Sequence, residues 1–173
     1  MTPPRTRAAD PARDEVDALV GRWREERPDI DPAPLEVFSR VSRLAVLADR
    51  ERREAFASHG LELWEFDVLS ALRRAGSPYA LTPGALLRAT LVTSATMTHR
   101  VDRLVAGGLV TRGPDPDDRR GVLVQLTFAG RARVDAALES LVQHEDRLLQ
   151  PLAKAERRDL AALLRRLLLP LEG

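Results

Sequence analysis

Thr93 to Thr127 reads TSATMTHRVDRLVAGGLVTRGPDPDDRRGVLVQLT, and two different periodicities meet inside it. In its first half Met97, Val101, Leu104 and Val105 recur at the spacing of one helical face, while Ala95, Thr96, His99 and Arg103 fall on the other side. This pattern predicts a helix with one buried face and one polar, reaching face. Thr93 or Ser94 supplies an N-cap, and Gly107 with Gly108 supplies the positive-φ residues that end it. Leu109-Val110-Thr111-Arg112 then reads as a strand, and Val122, Val124 and Leu126 recur at period two as its returning partner. Between them, Pro114 to Gly121 is a turn-rich tip carrying Arg119 and Arg120. A helix, a hairpin and a cationic tip in this order predict a winged helix-turn-helix: mainly α, with a small β-hairpin wing.

Upstream of this stretch, Thr82-Pro83 provides a cap followed by proline at the first helical position, opening a short helix through Leu86, Leu87 and Ala89. The gap Leu91-Val92 leads into the reaching helix, so two short helices meet at a turn and the second is the one that enters a groove. Before them, Leu61, Trp64, Val68 and Leu72 share one face of a helix that ends near Gly76-Ser77-Pro78, with Asp67 on its flank. A long helix is expected from about Leu35 to Ser58, with Val37, Val41, Leu44 and Ala48 as its buried stripe and Gly60 at its end. Its run Asp49 to Glu54 reads as a solvated face with i,i+4 pairing and no functional role.

Val16, Leu19, Val20 and Trp23 fall at i, i+3, i+4 and i+7, the spacing of an extra N-terminal amphipathic helix. Trp23 reads either as a packing anchor or as an aromatic wall for a planar ligand. Three prolines within Arg27 to Pro34 break that helix, and residues 1–12 are expected to be a disordered tail. Downstream of the wing, Thr127 caps a long helix carrying Val134, Leu138, Leu141, Leu148 and Leu149, and Pro151 interrupts it. A last helix from about Ala155 to Leu169 carries Leu160, Leu163, Leu164, Leu167 and Leu168, an apolar face broader than one partner helix covers. These leucines, with the N-terminal helices, read as a symmetric dimer interface; one intramolecular helical core is the alternative. The organisation expected is a tail at 1–12, N-terminal helices at 13–60 serving dimerisation and a ligand pocket, a DNA-binding lobe at 61–127, and C-terminal dimerisation helices at 128–173.

The formal net charge of +1 means that any nucleic-acid surface must be a local concentration of charge rather than a global polycation. The absence of cysteine removes thiol catalysis, disulfides and cysteine-based sensing together. His59, His99 and His144 are dispersed and no glycine-rich phosphate loop occurs, so neither an enzyme nor a metal site is expected. The polar N-terminus lacks a signal-like apolar region and no stretch reaches about 18 uninterrupted apolar residues, so no membrane association and a cytoplasmic location are expected.

Binding to double-stranded DNA requires phosphate neutralisation for affinity and side chains on base edges for specificity. Ser94, Thr98 and His99 suit base edges, and Arg103 reaches a guanine edge or a phosphate. At the wing tip, Arg119 and Arg120 suit the negative potential of a narrow minor groove, and a neighbouring carboxylate orients a guanidinium there. Arg100 lies about 85° from the centre of the apolar stripe, against roughly 145–175° for His99 and Arg103, which makes it a poor base reader and a plausible pocket residue.

From about Leu61 onward the chain resembles the MarR family of dimeric winged-helix regulators. Asp118-Arg119-Arg120-Gly121-Val122-Leu123-Val124-Gln125-Leu126-Thr127 matches that family's wing signature D-x-R-x-x-x-V-x-L-T, and Gly130 follows where the family usually has a glycine. The resemblance implies Arg120 as the minor-groove arginine, Asp118 as its buttress, and Ser94 to Ala106 as the major-groove reader. Trp23 in its segment Trp23 to Asp29, together with Trp64-Glu65-Phe66-Asp67-Val68-Leu69, is similar to the urate-responsive, PecS and HucR type of branch. That branch's ligand set maps onto Trp23, Asp67, Arg100 and Arg112. Ala95 and His99 depart from the glycine and asparagine common at those places, which bears on base preference.

The function implied is a dimeric regulator, a repressor of a palindromic operator, released by urate or a related purine. Urate is a planar anion, so an arginine pairs with its charge and an indole stacks on it, while Asp67 would be repelled. The alternatives are a regulator answering to phenolic or other aromatic acids, and an effector-free architectural or protein-interaction module. No cofactor is expected beyond the small-molecule effector.

Overall fold

The computed structural model describes residues 13–90, 94–116 and 121–171. The expected disordered tail at 1–12 and the wing-tip residues Asp118, Arg119 and Arg120 lie outside the described residues. The elements are α1 Glu15–Glu26, α2 Ala33–Ala57, α3 Leu63–Arg74, β1 Ala80–Leu81, α4 Pro83–Thr90, α5 Ser94–Ala106, β2 Val110–Pro114, β3 Val122–Leu126, α6 Phe128–Leu149 and α7 Lys154–Leu168. A 3-10 turn, Leu169–Leu171, follows α7. The chain divides into two compact units, residues up to Asp49 and residues from Arg50.

In the N-terminal unit, Asp14 caps α1: its Oδ1 accepts from the backbone N–H groups of Val16 and Asp17 at 2.9 and 3.0 Å. The Asp17 carboxylate accepts in return from the Asp14 N–H at 2.8 Å, which completes a capping box. Arg40 of α2 donates to Asp14 from Nε at 2.9 Å and to Asp17 from Nη2 at 2.9 Å, and Arg24 pairs with Glu36 at 2.7 Å. Pairs 14 with 40 and 24 with 36 run in opposite chain directions, so α1 lies antiparallel to the start of α2, with Val16 and Val20 buried. The apolar residues of this part of α2 behave differently from the expectation: Val37, Val41 and Leu44 are exposed rather than buried.

The second unit is built around α3, which buries Phe66, Val68, Leu69 and Leu72. Phe66 stacks on Phe56 at the end of α2, with ring centroids 4.0 Å apart. From α5, Met97, Val101 and Leu104 reach the same core, while Val105, expected in that stripe, stays 41% exposed because Leu104 already occupies the inward position of the last turn. The wing is part of a three-stranded antiparallel sheet rather than a lone hairpin, in the order β1-β3-β2. Val110 faces Leu126 and Pro114 faces Val122 across β2 and β3, and Ala80 faces Gln125 across β1 and β3. The two-residue β1 is too short to show a sequence period.

Of the two glycines expected to end α5, only Gly108 adopts a positive φ, 69°. Gly130, in the first turn of α6, has a different reason to be glycine: a Cβ there would overlap the Leu109 carbonyl oxygen and stand 2.9 Å from its carbon. Thr127 fixes the same contact. Its N–H donates to the Leu109 oxygen at 3.1 Å, and its hydroxyl lies 2.8 Å from the Gly108 oxygen and accepts from the Gly130 N–H at 2.9 Å. The base of the wing is thereby clasped to the start of α6.

Along α6, Val134 and Leu141 are buried, but Leu138 and Leu148 are exposed. None of the described residues of α7 is buried, and Leu163, Leu164, Leu167 and Leu168 are all exposed. The leucine-rich face is thus not absorbed into a core within the chain.

Candidate functional site

α5 presents Thr98 and His99 to solvent, and the helix begins at Ser94. Arg103 also lies on the solvent side of α5, but its guanidinium is engaged. Its Nη2 donates to Glu62 Oε1 at 2.8 Å, and its Cζ stands 4.8 Å from the centre of the Trp64 ring. The second Glu62 oxygen accepts from the Trp64 indole N–H at 2.7 Å. Hydrogen bonds from Arg103 first and Trp64 second hold the Glu62 carboxyl below its ordinary range.

Beside this group a cavity of about 520 Å³ is lined by Arg53, Leu61, Glu62, Trp64, Asp67 and Arg100, among others. Its size falls within the range of small-molecule sites. Arg100 Cζ lies 5.5 Å from the Trp64 ring, so the same indole faces both arginines of α5. Two of the four ligand residues implied by resemblance, Asp67 and Arg100, therefore share one cavity. Arg112 does not line it: on β2, it pairs with Asp102 of α5 at 3.1 Å and ties the wing to the reaching helix. Trp23 belongs to the N-terminal unit, where it is half exposed and lines a separate cavity of about 380 Å³ with Ile30, Pro32, Pro34 and Leu35.

Sequence reasoning missed Glu62 and Arg53. Glu62 precedes α3 and its N–H donates to Glu65 at 2.9 Å, so an E-x-x-E pair ahead of an apolar run was the available signal. Arg53 sits in the charged run read as a solvated face without function. That run is less uniform than expected. Arg50 does pair with Glu54 at 3.8 Å, but Glu51 is largely covered and accepts from His144 at 2.9 Å, which holds the Glu51 carboxyl low. His144, dispersed from the other histidines in the sequence, stands in the fold beside both Glu51 and Glu54, with Arg50 already supplying positive charge to the two carboxylates.

On the other side of Asp67, a smaller polar cavity of about 250 Å³ is lined by Arg52, Ser70, Arg74 and Thr90 among others. Ser70 is the buried polar residue there, its hydroxyl 3.1 Å from the Asp67 carbonyl oxygen and receiving Arg74 at 3.1 Å. No helix among the described residues is long and apolar enough to cross a membrane.

This arrangement has counterparts in known proteins. The model of the MarR family matches residues 59–121, which hold α3, α4, α5 and the strand β2. The HTH-type transcriptional regulator PecS of Dickeya dadantii is 40% identical over 152 residues, covering 88% of this chain and 92% of PecS. A structure of an Escherichia coli MarR mutant complexed with operator DNA superposes with a TM-score of 0.64 at 29% identity, covering 84% of this chain and 97% of that one. The structure of Bordetella bronchiseptica BpsR, whose DNA binding is regulated by 6-hydroxynicotinic acid, superposes with a TM-score of 0.57 at 33% identity over 73% of this chain and 91% of BpsR. The reaching helix, the wing at its end and a likeness to PecS over nearly the full length agree: this chain belongs to the MarR family of winged-helix transcription regulators and is not an enzyme.

Proposed function

We propose that the chain works as a dimeric repressor that reads a palindromic operator through α5 and is released by urate or a closely related purine. The observation that carries the effector part is the position of Arg100: it belongs to the DNA-reading helix, yet it lines a ligand-sized cavity with Asp67 and an indole. An arginine and an indole suit a planar anion by charge pairing and stacking. The Asp67 carboxylate disfavours the same anion, so binding shifts the balance of charge next to α5. A ligand that prefers one orientation of Arg100 biases the orientation of the helix that carries it.

The exposed leucines of α7 support the dimer, since a large uncovered apolar face calls for a partner and a second copy supplies one by two-fold symmetry. Two copies of α5 then address two half-sites one helical turn of DNA apart. A second reading, release by an aromatic acid, is favoured by the apolar walls of the cavity, Leu61 and Leu63, and by the regulation of BpsR by 6-hydroxynicotinic acid.

The test is a fluorescence-anisotropy titration of a duplex enriched by the protein from a random pool. Urate is expected to dissociate the complex at micromolar to millimolar concentration, and Arg100→Gln is expected to remove that response while DNA binding survives. Release by 6-hydroxynicotinic acid or salicylate but not urate favours the second reading. No release by any of them would leave an effector-free DNA-binding module and overturn both.

A further inference from the structure

We propose that Glu62 is a positioning residue for DNA recognition: together with Trp64 it stores Arg103 against the protein, and operator DNA competes with Glu62 for that guanidinium. The proposal rests on α5 being the reading helix, and adds a residue that is not on α5 but at the N-cap of α3.

Three contacts define the storage. Arg103 donates to one oxygen of Glu62 at 2.8 Å, Trp64 donates to the other at 2.7 Å, and the guanidinium lies 4.8 Å from the indole ring that makes that second bond. The carboxylate is therefore oriented by the indole and presents its free edge to the arginine. The guanidinium is held by its edge and by contact with a ring, so it rests on the start of α3 instead of projecting from α5. A carboxylate that merely steadied a DNA-contacting arginine would leave the arginine's outward path open.

The storage is also loose enough to be exchanged. The side chains of Arg103 and Glu62 are 48% and 57% exposed, and ion pairs at that exposure are weak because water screens both partners. A phosphate or a guanine edge offers an arginine two acceptors in fork geometry, a better match than the single carboxylate contact seen here. Arg103 meets Glu62 through Nη2, so a DNA contact that takes the Nη2 edge must break the Glu62 pair, and removing Glu62 removes that cost.

The experiment is a double-mutant cycle on operator affinity, using a duplex enriched by the wild-type protein and measured without effector at fixed ionic strength. Glu62→Gln keeps the shape and a hydrogen-bonding oxygen but drops the charge, and is expected to tighten binding about two- to fivefold, the scale of an exposed ion pair. Arg103→Gln is expected to weaken binding. In the Arg103→Gln background, Glu62→Gln is expected to have no effect, and the melting temperatures of all variants are measured to confirm that the comparisons are between folded proteins. Weaker or unchanged binding by Glu62→Gln overturns the proposal. So does equal tightening in both backgrounds, which would report only the loss of a negative charge near DNA. Enrichment of no duplex by the wild-type protein would overturn the DNA-reading assignment as well, whereas a bound wild type without coupling overturns this inference alone.

Discussion

Replacing Gly130 by alanine tests the clasp between the wing and α6. The added Cβ would overlap the Leu109 carbonyl oxygen and sit 2.9 Å from the Leu109 carbon and 3.2 Å from its Cα. These are backbone atoms, so no side chain can swing aside, and either α6 or the start of β2 must move. Forcing extra volume into such a contact costs about 1–3 kcal/mol. The displaced Leu109 oxygen also accepts from the Thr127 N–H, a bond worth about 1 kcal/mol net. Alanine returns up to about 1 kcal/mol of helix propensity, so the expected loss is about 1–3 kcal/mol. For a chain of this size that corresponds to a fall in Tm of about 2–12 °C. The assay is thermal unfolding followed by far-UV circular dichroism at fixed protein concentration, since the Tm of any self-associating chain depends on concentration. Gly84→Ala is the control, because its Cβ would meet only the end of Arg88 at 3.8 Å, an ordinary contact. A Gly130→Ala protein as stable as wild type, or no less stable than Gly84→Ala, would refute the reasoning.

Three further outcomes follow from other parts of the structure. Phe56→Ala deletes a fully buried ring stacked on Phe66 and is expected to cost about 3–5 kcal/mol in urea unfolding. Asp14 is held below its ordinary pKa by Arg40 first and by the Asp17 N–H next, so its contribution is complete above the ordinary carboxylate range and is lost as pH falls through the lowered value. Hydrogen-exchange protection factors in α1, corrected for the intrinsic pH dependence of amide exchange, should therefore fall on acidification, and Asp14→Asn should show lowered protection at neutral pH already. Leu167→Glu places a charge on the exposed α7 face and is expected to convert a dimer to a monomer in sedimentation velocity, without loss of helical signal from the isolated chain.

The DNA-binding half of the molecule was legible because its periodicities are long and its turn residues unambiguous. Met97, Val101 and Leu104 are spaced for one helical face and are buried on one face. Thr127 reads as a cap and is one, accepting from the Gly130 N–H. The strand β1 was not legible, since two residues carry no alternation and its partner is 45 residues away at Gln125. Nor was the Glu62–Arg103 pair, which joins residues 41 positions apart through a side-chain geometry that no spacing rule contains. Helical angle did separate Arg100 from Arg103: the first lines the cavity and the second does not, although both approach the same indole. For α7 the leucine pattern revealed an apolar face but could not say whether this chain or another covers it.

The most direct test of the account is selection from random duplexes by the purified protein, with and without urate. The account predicts enrichment of a palindrome whose half-sites are centred about one helical turn apart, 10–10.5 base pairs, with enrichment abolished by urate. Enrichment of a lone half-site, of no sequence, or of the same palindrome regardless of urate would contradict it.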